Sequence, residues 1–464
     1  MSGLVHAEQW LVDNFDRLVG EHEVPGASIA ILTDGKVVSR AAGLLNLNTG
    51  VPATVDSVFQ IGSITKLWTA TLVMQLVAED QVDLDEPICS YLPGFRIADP
   101  HARNRITTRH LLSHCAGFEG DIFDETSNDD DAVAKFMHES LTDVPQLFAP
   151  GERFSYNNAG YVVLGRLVEV MREMTWEQAL RRYLVEPLGV DPVATGSHEA
   201  VLLRAAAGHV RDHKHEPLRV TQQWALPRSN GPAGAQLAMP ADQLLKFAQM
   251  YLADGRTNAG EQLLPSAIVA GMQRQQIPVP KRQPWSLRYG LAWALYDYGG
   301  ANVIGHDGHT IGQSALLRIV PDRKVAVALL MNGGYTDKLG HAVLEGVLKD
   351  LAEVEVPRPY EQPVQVLPIE DPRRYVGKYE NRVLWVTVSH EDGRLWADSA
   401  ARGDVAEADG SVQAEHQELV RIDGDTFAVL DEDGSVETTC VFVGEDHDGR
   451  AKFLHNHRAV ARVD

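Results

Sequence analysis

The stretch that most narrows the folds open to this chain is Gly62-Ser63-Ile64-Thr65-Lys66-Leu67-Trp68. A turn of small residues runs there into a segment whose apolar positions (Leu67, Trp68, Leu72, Val73, Leu76, Val77) predict a buried helix with a rigidly held N-terminus. Residues three apart share a helix face, so Ser63 and Lys66 are placed to approach each other. A hydroxyl beside an amine is a nucleophile with its own base. A serine opening a helix is equally an ordinary cap, and the four letters alone leave both readings open.

The segments before this stretch place sheet beside it. Apolar residues at helical spacing (Trp10, Leu11, Phe15, Leu18, Val19) predict an amphipathic helix over 7–21, stopped by Val24-Pro25-Gly26. Two apolar runs, Ala27 to Leu32 and Lys36 to Ala42, flank Thr33-Asp34-Gly35, a strong hairpin signal because Asp-Gly accepts the positive φ of a tight turn.

Downstream, Ile106 to Gly117 predicts a helix with a threonine cap and a glycine stop, carrying His110 and His114. Four residues apart, the two histidines have metal-ligand spacing, but no third ligand follows, and His114 reads as a partner for a backbone carbonyl at a helix end. Residues 119–132 hold seven carboxylates, among them Asp121 and Asp124. They read either as a solvated loop or as a mobile rim that draws a cationic group to a cleft. Pro150 to Tyr161 is a polar turn before the apolar helix Val162 to Val168, which would fix Tyr156 and Asn158 on a loop. A tyrosine beside an ammonium has its phenolate favoured, which suits Tyr156 to proton exchange with Lys66. Asn158 can donate to a substrate carbonyl while accepting from the lysine.

Trp224, Trp285, Tyr289 and Trp293 bring aromatic mass toward a third segment, as substrate wall or as core. That segment is Gly305-His306-Asp307-Gly308-His309-Thr310-Ile311-Gly312, followed by strand-like runs Ser314 to Val320 and Val325 to Met331. Glycines such as Gly308 let a backbone N–H come close to a reacting carbonyl. His306 can orient Tyr156 or Lys66, or meet a carboxylate when protonated.

Bulk properties exclude some partners. A formal charge of -22, from 64 acidic against 42 basic residues, disfavours nucleic acid and anionic membrane surfaces. Three scattered cysteines (Cys89, Cys115, Cys440) without Cys-x-x-Cys spacing read as buried thiols of a reducing compartment. The first residues carry no basic start with a long apolar run, and no later segment has membrane-spanning length, so the expectation is a cytoplasmic protein.

Beyond 350 the composition shifts. Spaced prolines over 356–371 predict a linker, and from Tyr375 short runs alternate with Asp392-Gly393, Asp423-Gly424, Asp433-Gly434 and Asp448-Gly449. That punctuation predicts an antiparallel barrel or half-barrel of about 90 residues.

These segments together carry a resemblance. Ser63-Ile64-Thr65-Lys66 resembles the Ser-x-x-Lys element of the penicillin-recognising serine hydrolases, the serine beta-lactamases and penicillin-binding proteins. Tyr156-Asn157-Asn158 is similar to the Tyr-x-Asn of their class C and D-peptidase branch. His306-Asp307-Gly308 stands where other members have Lys-Thr-Gly, in a His-x-Gly form similar to that of esterase-like members. The resemblance implies an α/β (α+β) catalytic domain over 1–355, with an antiparallel sheet flanked by a helical domain. It implies a lipocalin-like β domain over 372–464. It assigns Ser63 as nucleophile, Lys66 as general base, Tyr156 as general acid/base, and His306 and Asn158 as supporting groups. The oxyanion hole falls to the backbone N–H groups of Ser63 and His309. No cofactor and no metal is implied. Histidine in place of the lysine weakens the case for a β-lactam or a free C-terminal carboxylate. Esterase, D-amino-acid amidase or peptidase, and acyl-transfer chemistry stay open.

Within the family the chain resembles most the stand-alone penicillin-binding-protein-type thioesterases that release and cyclise nonribosomal peptides. In that reading a peptidyl carrier protein, or a pantetheine-linked thioester, delivers to Ser63 a peptide ending in a D residue. The peptide's own amine then attacks to close a head-to-tail lactam. The pocket must exclude water for the amine to win. Arg450, or a neighbouring residue of the C-terminal domain, is expected to contact the peptide.

Overall fold

The computed structural model describes residues 3–211, 216–283, 287–358, 360, 364–403 and 414–464. Strand β1 (Gly26–Thr33) is buried along its whole length, so both of its faces need cover. It turns through Asp34 and Gly35, both at positive φ (51° and 70°), into β2 (Lys36–Asn46), with Thr33 opposite Lys36. This is the two-residue hairpin that Asp-Gly predicts. A nine-stranded antiparallel sheet grows from it. After β3 (Val51–Pro52) come β4 (Ile277–Pro278), β5 (Leu287–Tyr289), β6 (Ala294–Tyr298), β7 (Ala301–Thr310), β8 (Gln313–Val320) and β9 (Val325–Met331). Their spatial order is β3-β2-β1-β9-β8-β7-β6-β5-β4. The end of the chain's first 331 residues thus returns to its beginning, with Ala30 opposite Ala328 at the sheet's centre.

Alternation along the central strands feeds two cores. Ile29, Ile31, Val327 and Leu329 meet helices α1 (Gly3–Glu21) and α5 (Thr336–Ala352) on one face. Ala30, Leu32, Ala328 and Leu330 meet the helical body on the other, including α2 (Thr65–Ala78), α3 (Asn158–Arg172) and α4 (Ala241–Leu252). Helix α2 runs through the middle of that body: Leu67, Trp68, Val73 and Leu76 are fully buried, and Trp68 stacks on Phe247 with ring centres 4.4 Å apart. A helix buried on every side cannot shift at its N-terminus without opening the core, which fixes whatever that terminus carries.

The C-terminal strands β10 (Gly377–Glu380), β11 (Leu384–Glu391), β12 (Arg394–Ala401), β13 (Glu415–Asp423), β14 (Thr426–Leu430), β15 (Val436–Val443), β16 (Phe453–His455) and β17 (Ala459–Arg462) pair in sequence order. They close into an eight-stranded barrel. Three of the four Asp-Gly pairs lie between successive strands, and in the fourth Asp423 ends β13 and Gly424 opens the turn into β14. Closure removes the free edges that a half-barrel would expose. Two expectations change. Cys89 is only half-buried, and the helix at 106–117 shrinks to Thr108–Leu112, leaving His114 outside it at φ 56°.

Candidate active site

Ser63 stands in a single 3-10 turn, Gly62–Ile64, that feeds directly into α2. It caps nothing, and it is half-exposed, whereas Lys66 one turn later is fully buried. The Lys66 amine lies 2.9 Å from Ser63 Oγ, 2.7 Å from Asn158 Oδ1 and 2.6 Å from the Ala233 carbonyl. Burial holds this amine well below its usual range, Arg458 pushes the same way, and Asp121 opposes them. A neutral amine has two N–H groups and one lone pair. Two carbonyl oxygens take the N–H groups, and the lone pair is left for the Ser63 hydroxyl.

Asn158 is the first residue of α3 and not a loop residue, because Asn157 caps that helix through the Gly160 N–H. The Asn158 amide donates to Asp121 Oδ1 at 2.7 Å, which turns its oxygen toward Lys66. Tyr156 lies beneath the amine, with the Lys66 nitrogen 4.9 Å from its ring centre. The environment reverses the expected phenolate. Burial pushes the Tyr156 hydroxyl up, with the Ser63 hydroxyl and Arg458 only partly opposing, so the group is a neutral phenol. Its oxygen is shielded from solvent and has no settled hydrogen-bond partner.

Of the third segment, Gly305 to Thr310 lie in β7, and Ile311 and Gly312 form the turn into β8. Gly308 packs directly on the Ser63 turn: a Cβ there would stand 1.9 Å from the Ile61 oxygen and 3.0 Å from the Ser63 nitrogen. A Cβ at Gly62 would lie 2.6 Å from the His309 nitrogen. The backbones that carry the Ser63 and His309 N–H groups are therefore in contact. His306 neither orients Tyr156 nor touches Lys66 by a hydrogen bond. Its Nδ1–H donates to the Asp307 carbonyl at 2.6 Å and its Nε2 accepts from the Tyr289 hydroxyl at 2.8 Å. Burial is the main cause that pushes it down to about 4, so it is neutral and has no proton to offer a carboxylate.

Other expected contacts are redistributed. Trp293 is core, edge-on to Tyr251, and Tyr289 is buried as the partner of His306. Trp224 is half-buried, with its indole N–H on the Ala206 carbonyl. Trp285 falls outside the described residues. Arg450 pairs with Asp446 at the barrel's surface. The barrel residue that reaches the centre is Arg458, in the turn between β16 and β17; it pairs with Asp121 and sits 5.2 Å from the centre of the Tyr156 ring. The acidic stretch is closed at its first half and exposed from Asn128 to Asp131. Asp121 is buried on Arg458, Asp124 pairs with Arg382 of the barrel, and Asp130 pairs with Arg228. His110 closes a capping box with Thr107, while His114 accepts the Asn157 N–H instead of meeting a carbonyl and stacks 4.2 Å from Tyr156.

The Ala233 carbonyl, Asp121 and Arg458 are the contributions that the sequence hides. A backbone acceptor leaves no side-chain trace beyond the turn residues Ser229 to Ala235. Asp121 is one of seven similar carboxylates. For Arg458 the only signal is a polar Asn456-His457-Arg458 turn between two apolar runs.

Acid is expected to destabilise the fold from pH 6.5 down to about 3. Burial pushes His455 to about 3 and His306 to about 4, from an ordinary 6.5, so both are neutral when folded and gain a proton on unfolding in that window. The unfolded state then binds more protons, and stability falls as pH falls; it is fully present above 6.5. Urea midpoints measured across the window check this. His455→Gln, which can keep a donor for the Phe154 carbonyl, should flatten the slope.

Comparison with known proteins adds a lineage to this geometry. The sequence profile of the family described as Beta-lactamase matches residues 11–349. The chain is 40% identical over 371 residues to "Penicillin-binding protein 4" of Amycolatopsis lactamdurans, covering 79% of this chain and 96% of the relative. It is 28% identical over 332 residues to "Esterase EstB" of Burkholderia gladioli, covering 63% and 81%. The crystal structure of SurE with D-Leu superposes with a TM-score of 0.75 at 30% identity, over 98% of this chain and 99% of that one.

Proposed function

The chain belongs to the Beta-lactamase family and is a serine-hydrolase-type enzyme of that superfamily, and from that premise we propose that Ser63 is its nucleophile, acylated by an ester or amide. The observation that carries this reading is the buried Lys66 amine, 2.9 Å from Ser63 Oγ and held toward its neutral form. Lys66 takes the hydroxyl proton as Oγ bonds to the carbonyl carbon. The N–H groups of Ser63 and His309 receive the developing oxyanion. Tyr156, a neutral phenol, supplies a proton to the leaving group and regains the one held by Lys66, and water then adds to the acyl carbon, releasing the acid and restoring the Ser63 hydroxyl. An esterase or D-amino-acid amidase needs nothing more.

A second reading is favoured by the end-to-end similarity to SurE, whose structure was determined with D-Leu. Here the acyl group is a peptide ending in a D residue, delivered as a pantetheine thioester by a carrier protein in the cytoplasm, and the peptide's amine replaces water to close a macrolactam. On this reading residues 1–355 are the catalytic domain, 356–371 the linker, and 372–464 a lipocalin-like domain that roofs the pocket. Among the described residues no helix is long and apolar enough to cross a membrane.

One experiment separates the readings. The protein is given linear peptidyl thioesters ending in a D or an L residue, with a p-nitrophenyl ester alongside, and intact masses are followed. An acyl adduct on Ser63 is expected from the ester and from the D-ended thioester. Free acid alone as product supports the hydrolase; a product lighter by one water supports the cyclase. No adduct from any substrate would overturn both.

A further inference from the structure

We propose that Asp121 is a positioning residue whose carboxylate clamps the Asn158 amide on one side and the Arg458 guanidinium on the other, so that seating of the barrel fixes the acceptor that aims Lys66 at Ser63. The inference rests on Ser63 and Lys66 being the acylation pair.

The geometry forms one continuous chain of contacts. Arg458 donates to both oxygens of Asp121; Asp121 Oδ1 also accepts from Asn158 Nδ2 at 2.7 Å; Asn158 Oδ1 accepts from Lys66 at 2.7 Å. An amide can flip, and a flipped Asn158 would present N–H groups to the amine instead of a lone pair. Asp121 accepts only, so it selects the useful orientation. Both ends of the chain are pinned. The flanking carbonyls of Gly120 and Ile122 accept from the Ala159 N–H and from Asn230 Nδ2, which holds Asp121 against the start of α3. On the barrel side, Phe154, Ser155 and Tyr156 bond in turn to His455, Ala459 and His457, and that ladder delivers Arg458. Asp121 is 4% exposed, unlike the exposed Asp129, Asp130 and Asp131 of the same stretch.

The ion pair also sets the charge felt by the base. The titratable and charged groups around Lys66 are Asp121, Arg458, Tyr156, Tyr161, His114 and His306. The tyrosines are pushed up and the histidines down by burial, so these four are neutral, and Asp121 and Arg458 are the two opposed full charges. Removing either partner leaves the other uncompensated.

The test uses the full chain, with p-nitrophenyl acetate as probe and S63A as control. D121N and R458M are each expected to lower kcat by about 10- to 100-fold through misplacement of the base. Their pH profiles should move in opposite directions. In D121N the unbalanced arginine shifts the rising limb of kcat/KM to lower pH; in R458M the unbalanced aspartate shifts it to higher pH. The double variant should lose no more than the worse single one, with its limb returned toward wild type. D121E, which keeps the charge, should restore the limb. If one single variant fails to fold, by circular dichroism, the other still reports the sign. Limbs that stay at the wild-type position, or losses that multiply in the double variant, would overturn the proposal while S63A stays inactive. Turnover that survives in S63A would instead remove the acylation reading, and this inference with it.

Discussion

Lys66→Met is expected to slow acylation of Ser63 by about a thousandfold, the scale of a positioned general base. Methionine matches the length of the lysine stem and suits a fully buried position, so the variant keeps the packing of α2 and loses only the amine. The change leaves two oxygens, Asn158 Oδ1 and the Ala233 carbonyl, without their donor. Some loss of stability is therefore part of the prediction. A stopped-flow burst on a p-nitrophenyl ester, with Tm measured in parallel, separates the two effects. A burst rate within tenfold of wild type would remove Lys66 from the base role and leave Tyr156 as the remaining candidate.

Gly308→Ala is expected to cost about 10²- to 10³-fold in kcat, the measured range for loss of one oxyanion donor. A methyl group at this position has nowhere to go. It meets the Ile61 carbonyl oxygen at 1.9 Å and the Ser63 nitrogen at 3.0 Å, and both belong to backbone that cannot rotate away. Strand β7 must move off the Ser63 turn, which separates the His309 N–H from the Ser63 N–H. Substrate affinity should change less than turnover, because the lost contact forms with the tetrahedral oxygen and not with the ground-state carbonyl. An unchanged kcat would mean that the two N–H groups do not act together.

What could be read in the sequence was local or repetitive. Asp34-Gly35 specifies its hairpin because the turn geometry lies within two residues, and the four later Asp-Gly pairs specify the barrel in the same way. Ser63 and Lys66 were legible because helical spacing brings them together without help from the rest of the chain. His306 was misjudged for the opposite reason. Its partner, Tyr289, sits on β5, two strands away in the sheet, and that pairing consumes the nitrogen expected to serve Tyr156. Arg450, or a neighbouring residue of the C-terminal domain, was named without the strand register that turns Arg458 inward. Charge density at 119–132 left a solvated loop and a ligand-attracting rim both open, and neither reading foresaw that the fold pairs Asp121, Asp124 and Asp130 with arginines brought from elsewhere.

The Arg458–Asp121 contact spans 337 positions of the chain. During synthesis, a nascent polypeptide that has already laid down all nine strands of the sheet still lacks the arginine. Its Ser63 and Lys66 are made, and its Asp121 has no counter-ion. The barrel must form and dock before that charge is answered, so the order of translation delays completion of the centre until the barrel's last turn has been made.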